Sequence, residues 1–265
     1  MGTSKSLGTP AGGAWTGVKQ SITSVLGGST SVTPAGIVGA TIGAAGGLAV
    51  PSIPSASGGG GGGGSGGGGG VAAAGRASVA RATSGLAGFG VATRDGGIGA
   101  GLQRLGLEEL RGRPAAEVVA RIAEHLAGET TGLARDVLTM ALQDAIFEAA
   151  RLEGDSSYEA LEQSLDSFLS RDGVEGLIAL FLSRYVFDRV WVLIESHVDQ
   201  RSTTNSSRDG LMAGVEAACE ANVRALIADY GADGQFGSVD WFGSGGLRLA
   251  DGLIKDLETR LRAQA

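Results

Sequence analysis

The sequence predicts an all-α protein, a multi-helix bundle preceded by a long Gly-rich disordered N-terminal tail. Three observations predict it. Beyond residue 71, apolar residues recur at helical spacing between recognisable capping residues. No stretch shows the two-residue alternation of a half-buried strand. And 32 of the 48 glycines lie within residues 1–101, so the foldable mass is displaced to the second half. The expected organisation is therefore a Gly/Ser/Ala-rich tail and poly-Gly linker over 1–71, followed by an acidic all-helical domain over 72–265.

The tail is read from composition. No charged residue occurs from Gln20 to Gly75, and Gly58–Gly70 is glycine throughout except for Ser65. Such a run has the most backbone entropy to lose on folding and no side chains to offset it. Before it, Ala35–Val50 is sixteen uncharged residues between Pro34 and Pro51. A membrane span needs about 20 predominantly apolar residues. This one is shorter and diluted by Gly39, Gly43, Gly46 and Gly47, so a sticky disordered tail is the simpler reading.

The helices follow in order. Val71–Gly88 is Ala-rich and weakly amphipathic, with a Gly-rich break expected through Gly101. Pro114–Ala127 has Pro at a favoured start, Val118, Ile122 and Leu126 on one face, and Gly128 to end it. Leu133–Leu152 carries the stripe Val137, Met140, Ala141, Ile146 and Phe147. Ser156 with Glu159 forms a capping box for a helix through Ser170, and Asp172 with Glu175 resembles a second. Val174–Val198 is apolar around most of its circumference, interrupted by Arg184, Asp188 and Arg189, the pattern of a central helix covered on several sides. The same three charges make a membrane helix costly. Ser206 or Ser207 is expected to cap Asp209–Tyr230, and Leu247–Ala263 is a last amphipathic helix.

Charge and residue inventory exclude several functions. Residues 1–101 hold five basic residues and one acidic, +4, and residues 102–265 hold the other 16 basic and 27 acidic, −11. An acidic folded part repels phosphate backbones, so direct nucleic-acid binding is not expected. Cys219 alone cannot make an internal disulfide or a zinc cluster. The opening residues contain no continuous apolar stretch of a secretory signal, which points to the cytoplasm. His125 and His197 have no ligand-spaced partner, and no cofactor or metal site is expected. The match of Gly63–Gly67 to a nucleophile elbow lies inside poly-glycine, and Gly97–Gly101 lacks the third glycine of a dinucleotide fingerprint. No catalytic constellation emerges.

Two features point to partners. Eleven of the thirteen aromatics lie between Phe147 and Phe242. Of these, Phe236, Trp241 and Phe242 sit in a Gly-rich loop, where they either dock a partner or fold back to cap the bundle. The second feature is Met1-Gly2-Thr3-Ser4-Lys5-Ser6. Removal of Met1 exposes the Gly2 α-amine, whose pKa of about 7.7–8.0 leaves an appreciable nucleophilic fraction at neutral pH. On a Gly-rich tail of about 70 residues, that amine has an r.m.s. reach of roughly 45 Å. This is how a substrate terminus is presented to a modifying enzyme. The same residues satisfy the N-myristoylation pattern, although one acyl chain without a polybasic patch anchors only marginally.

The opening Met-Gly-Thr-Ser-Lys-Ser-Leu-Gly-Thr-Pro-Ala-Gly-Gly, followed by a low-complexity linker and an acidic helical domain, resembles the QatB family of the bacterial Qat anti-phage defence system. Gly173–Ile194, with its Leu-Ile-Ala-Leu-Phe-Leu-Ser-Arg-Tyr-Val-Phe-Asp-Arg run, is similar to that family's apolar helix. The resemblance implies a non-enzymatic component that works with QatA, an ATPase, QatC, related to the 7-cyano-7-deazaguanine synthase QueC, and QatD, a TatD-like nuclease. It further implies that Gly2 accepts a 7-deazaguanine through an amide, with Thr3 and Ser4 read by the modifying enzyme. A membrane-associated or lipidated helical protein and a phage or mobile-element structural protein are the alternatives.

Overall fold

The computed structural model describes residues 12–49, 68–152, 156–202, 204–236 and 239–265, with backbone alone for 68–74. Among the described residues every regular element is helical: α1 (Gly13–Leu26), α2 (Pro34–Ala44), α3 (Gly68–Gly96), α4 (Ile98–Leu105), a 3-10 turn (Glu108–Leu110), α5 (Ala115–Ala127), α6 (Leu133–Ala150), α7 (Tyr158–Arg201), α8 (Asn205–Ala232) and α9 (Ser244–Arg262).

α7 is the axis of the molecule and packs against α1 through α6 and α8. Its Leu177, Ile178, Phe181, Val186 and Val190 are fully enclosed. Each such side chain contributes about 1.5–3 kcal/mol by leaving water, which is how an all-round apolar segment comes to lie at the centre. α7 and α8 run antiparallel, joined by Arg184 to Glu216 along their length and by Arg208 to Glu195 and Asp199 near the turn between them. α9 is antiparallel to α8 through Arg260–Asp229, and to α3 through Arg76–Asp251.

The sequence pattern and the structure differ at several boundaries. The cap of α7 is Ser157, whose hydroxyl accepts from the Ala160 amide at 3.2 Å, one residue beyond the expected Ser156. The expected second helix start at Asp172–Glu175 is a kink within α7, where Gly173 adopts φ 68° and ψ −175°. Thr204, not Ser206 or Ser207, caps α8, its hydroxyl accepting from the Ser207 amide at 3.1 Å. The Gly-rich break expected from Gly88 through Gly101 shrinks to Gly97 alone. α3 continues to Gly96 because its glycines meet neighbours closely: a β-carbon at Gly90 would stand 3.3 Å from Leu177, and one at Gly101 of α4 would run into Phe89 and Thr93 of α3. Tertiary packing overrides the low helix propensity of glycine here.

The larger correction concerns the tail. Residues 12–49, expected to be disordered with the rest of 1–71, form the α1–α2 hairpin. Trp15, Val18 and Ile22 of α1 and Ile37, Val38 and Ile42 of α2 are buried in the common core. The stripe of α1 exists in the sequence at i, i+3 and i+7, but its partners beyond α2 lie on α7 and α8, well over a hundred residues away. α2 is eleven residues long and covered by protein. Among the described residues no helix is long and apolar enough to cross a membrane. Of the remainder of the expected tail, 68–71 forms the start of α3, and 1–11 and 50–67 lie outside the described residues.

The kink yields a test. Gly173 occupies a region open only to glycine, and strain of this kind is worth about 1–3 kcal/mol. Gly173→Ala is expected to lower unfolding free energy by that amount in chemical denaturation, with helical circular dichroism retained.

Candidate functional site

The three loop aromatics separate in the structure. Phe236 and Trp241 are buried, their rings stacked with centroids 5.9 Å apart, and Tyr230 lies 6.3 Å from Phe236. The Ser84 hydroxyl of α3 donates to the Trp241 carbonyl, which fastens the loop across α3. The pair therefore caps the bundle. Phe242 faces the other way and is 43% exposed. Its ring rests on Gly88, where an added β-carbon would stand 2.7 Å from it, and the Arg104 guanidinium sits 5.6 Å from its centroid. It forms one wall of an open groove of about 880 Å³ floored by the small residues Gly88, Ala92, Gly96 and Ala100. Gly2, Thr3 and Ser4 lie outside the described residues.

The remaining reactive side chains are built into the body. Cys219 is buried in α8, and burial pushes its thiol up to about 12, so it is a poor nucleophile. His125 is exposed at the end of α5, where a basic residue complements the helix dipole. His197 is buried against α1, with Nε2 3.2 Å from the Lys19 carbonyl and 3.4 Å from the Thr23 hydroxyl. Among the described residues no group of three or more His, Cys, Asp or Glu side chains is placed to hold a metal ion.

One charged cluster was not foreseen. Between α6, α7 and α8, Arg184 bridges Glu148 at 2.8 Å and Glu216, and one helical turn along, Asp188 is close enough to Asp144 to repel it, with Arg184 attracting both. Asp188 has an enclosed Oδ2 without a hydrogen-bond partner. Burial above all, then repulsion from Asp144 and Glu216 against attraction by Arg184, raises its carboxyl to about 7. The signal in the sequence was the triplet Arg184, Asp188, Arg189 inside an apolar helix. A carboxylate pair of which only Asp188 is half-buried does not by itself define chemistry: the neighbouring Cys219 thiol is held protonated by burial and by Glu216 and Asp188, and among the described residues no metal-binding group forms.

The arrangement is that of a helical scaffold, with open grooves and inert buried cysteine and histidine, and with no assembled acid–base–nucleophile set among the described residues. The family model for QatB, described as Qat anti-phage system associated protein QatB, matches residues 67–236. The chain belongs to the QatB family. No curated protein and no solved structure matches it.

Two variants test this description. Trp241→Ala is expected to destabilise by about 3–5 kcal/mol, as a buried large aromatic does, whereas Phe242→Ala changes stability far less. Asp188→Asn is expected to stabilise the protein at pH 8. The folded-state pKa of Asp188 lies above its unfolded value, so the folded state holds the extra proton between them, and wild-type stability is lost as pH rises from about 4 to 7. The advantage of the variant therefore grows across that window and vanishes below it, measured from denaturation midpoints at several pH values.

Proposed function

We propose that this protein is a non-enzymatic component of a bacterial Qat anti-phage system, acting as partner and modification substrate of the QueC-like QatC. What carries the reading is the family match over residues 67–236 together with the Met-Gly-Thr-Ser opening. In this reading Met1 is removed and the Gly2 α-amine attacks an ATP-activated carboxyl group on a 7-deazaguanine. A carbon–nitrogen bond forms, the activating group departs with the carboxylate oxygen, and the amine gives up a proton. Thr3 and Ser4, small and uncharged, are the residues the enzyme reads. The absence of side-chain hindrance at Gly2 and its near-neutral amine pKa support it as nucleophile.

The other assignments follow. QatA, an ATPase, and QatD, a TatD-like nuclease, are the further partners, and the system works in the cytoplasm. Phe242, exposed beside Arg104 at the groove edge, serves partner docking, while Phe236 and Trp241 serve stability.

The test is intact-mass measurement of the protein purified after co-expression with its QatC. The expected result is loss of Met1 and addition of one 7-deazaguanine acyl group at Gly2, localised by fragmentation. An unmodified Gly2 beside active QatC contradicts the reading. Phe242→Ala is expected to weaken co-purification with QatC at least about tenfold, as loss of an aromatic anchor does, without altering the fold.

A further inference from the structure

The seams of this molecule differ in kind. Where α5 and α6 meet the start of α7, the fully buried residues include Val118, Ile122, Ala141, Leu142, Leu161 and Leu165, whereas farther along α7 meets α6 across Glu148, Arg184 and Asp188. Where the α1–α2 hairpin meets α7, three polar groups are buried along one line of the helix. The Tyr185 hydroxyl donates to the Leu48 carbonyl at 2.8 Å, Arg189 Nη2 donates to the Ala49 carbonyl at 3.2 Å, and His197 Nε2 lies 3.2 Å from the Lys19 carbonyl. Positions 185, 189 and 197 span about 18 Å of helix at 1.5 Å per residue. All three groups meet the hairpin at main-chain carbonyls.

The clasp is poorly compensated. Arg189 is only 2% exposed, yet among the described residues it has no carboxylate partner, and its Nε has no hydrogen bond. Burying a guanidinium on one carbonyl leaves much of its desolvation unrecovered. No ion pair among the described residues joins α1 or α2 to the rest. Beyond the clasp, the Glu258 carboxylate of α9 accepts from the Leu48 amide at 3.3 Å, and α2 lies so close to the end of α9 that a β-carbon at Gly39 would meet the Leu261 carbonyl and stand 2.9 Å from the Ala265 amide. Ile22, Ile37, Val38 and Ile42 are buried beside this clasp, so the hairpin is held by apolar burial and carbonyl contacts with little ionic fastening, a mixture found at interfaces between domains.

From this geometry we infer that the α1–α2 hairpin is a releasable latch, held by its backbone carbonyls on the Tyr185–Arg189–His197 face of α7, which opens while α3–α9 remain folded. Acid favours opening. Burial first, then repulsion from Arg201 and Lys19, holds the His197 pKa below the ordinary value, with the Lys19 carbonyl opposing. Lys19 is the one charged residue of α1, α2 has none, and α8 directs Arg208 to Glu195 and Asp199 instead. The open state binds the proton more readily, so latching present at neutral pH is lost as pH falls through the unperturbed histidine range.

One consequence rests on Gly2 being the modified residue. With the latch closed, Gly2 is eleven residues from Gly13, so it reaches at most about 40 Å from the start of α1. The modifying enzyme must then approach on the hairpin side. Release transfers the anchor point to α3 and lengthens that limit several-fold.

Native-state hydrogen exchange on the full chain at pH 7.5 and 5.5, corrected for intrinsic rates, tests the latch without reference to Gly2. The expected result is protection in 13–26 and 34–44 at least about tenfold below that of α5 and α7, with the gap widening at pH 5.5. Equal protection of hairpin and α7, or a gap that closes in acid, overturns the inference. Gly39→Val, which wedges α2 from α9, is expected to abolish protection in the hairpin alone; loss throughout α3–α9 overturns it. Failure of Gly2 modification would leave both readouts unchanged.

Discussion

Enclosure of α7 by its neighbours is the constraint on which the rest of the structure depends. A helix apolar around most of its circumference has little exposed face to offer, so other helices cover it on several sides. α3, α5 and α6 cover part of it, α8 another, and the α1–α2 hairpin a third. The kink at Gly173 interrupts the helical backbone within this one element, and beyond it α7 still meets α6 through Arg184 and Glu148. The charges on this helix then sort by surroundings. Arg184 reaches carboxylates on both flanking helices, Asp188 is left facing Asp144, and Arg189 is left with a carbonyl.

Glycine has two different uses in this chain. Its abundance in the first hundred residues lowers the local signal for structure, yet at Gly39, Gly88 and Gly101 it permits approaches that a β-carbon would block. α2 reaches α9, and α4 reaches α3, only because those side chains are missing. Close packing of this sort compensates the conformational entropy that glycine loses in a helix.

Much of the architecture was legible in the sequence, and the exceptions have physical reasons. Val174–Val198 announced its own burial, because an all-round apolar helix of a water-exposed domain has nowhere else to go. α5 was legible from Val118, Ile122 and Leu126 and from Gly128. The α1–α2 hairpin was not, since Trp15, Val18 and Ile22 form a stripe whose worth is set by residues as distant as His197. Caps were displaced by one to three residues, at Ser157 and Thr204, because neighbouring Ser and Thr residues are chemically equivalent candidates and only the backbone path selects one. In the loop, nothing in Trp241-Phe242 tells which ring turns inward; the bond from Ser84 to the Trp241 carbonyl decides it. The Asp144–Asp188 pair needed two helices in register.

Membership of the QatB family places the chain among anti-phage defence components, and the structure adds where its N-terminal part is mounted. The α1–α2 hairpin is docked on the scaffold through α7, α8 and α9. The most direct measurement is a cysteine pair, Pro34→Cys with Gly214→Cys. A β-carbon at 214 would stand 3.3 Å from that of Pro34, close to the 3.5–4.5 Å that a disulfide spans, and the buried Cys219 does not compete. Mild oxidation is predicted to close this bond rapidly and quantitatively in the folded protein, seen as a loss of two mass units and of free thiol. Thiols at 34 and 214 that remain reduced in the folded protein would contradict a docked hairpin.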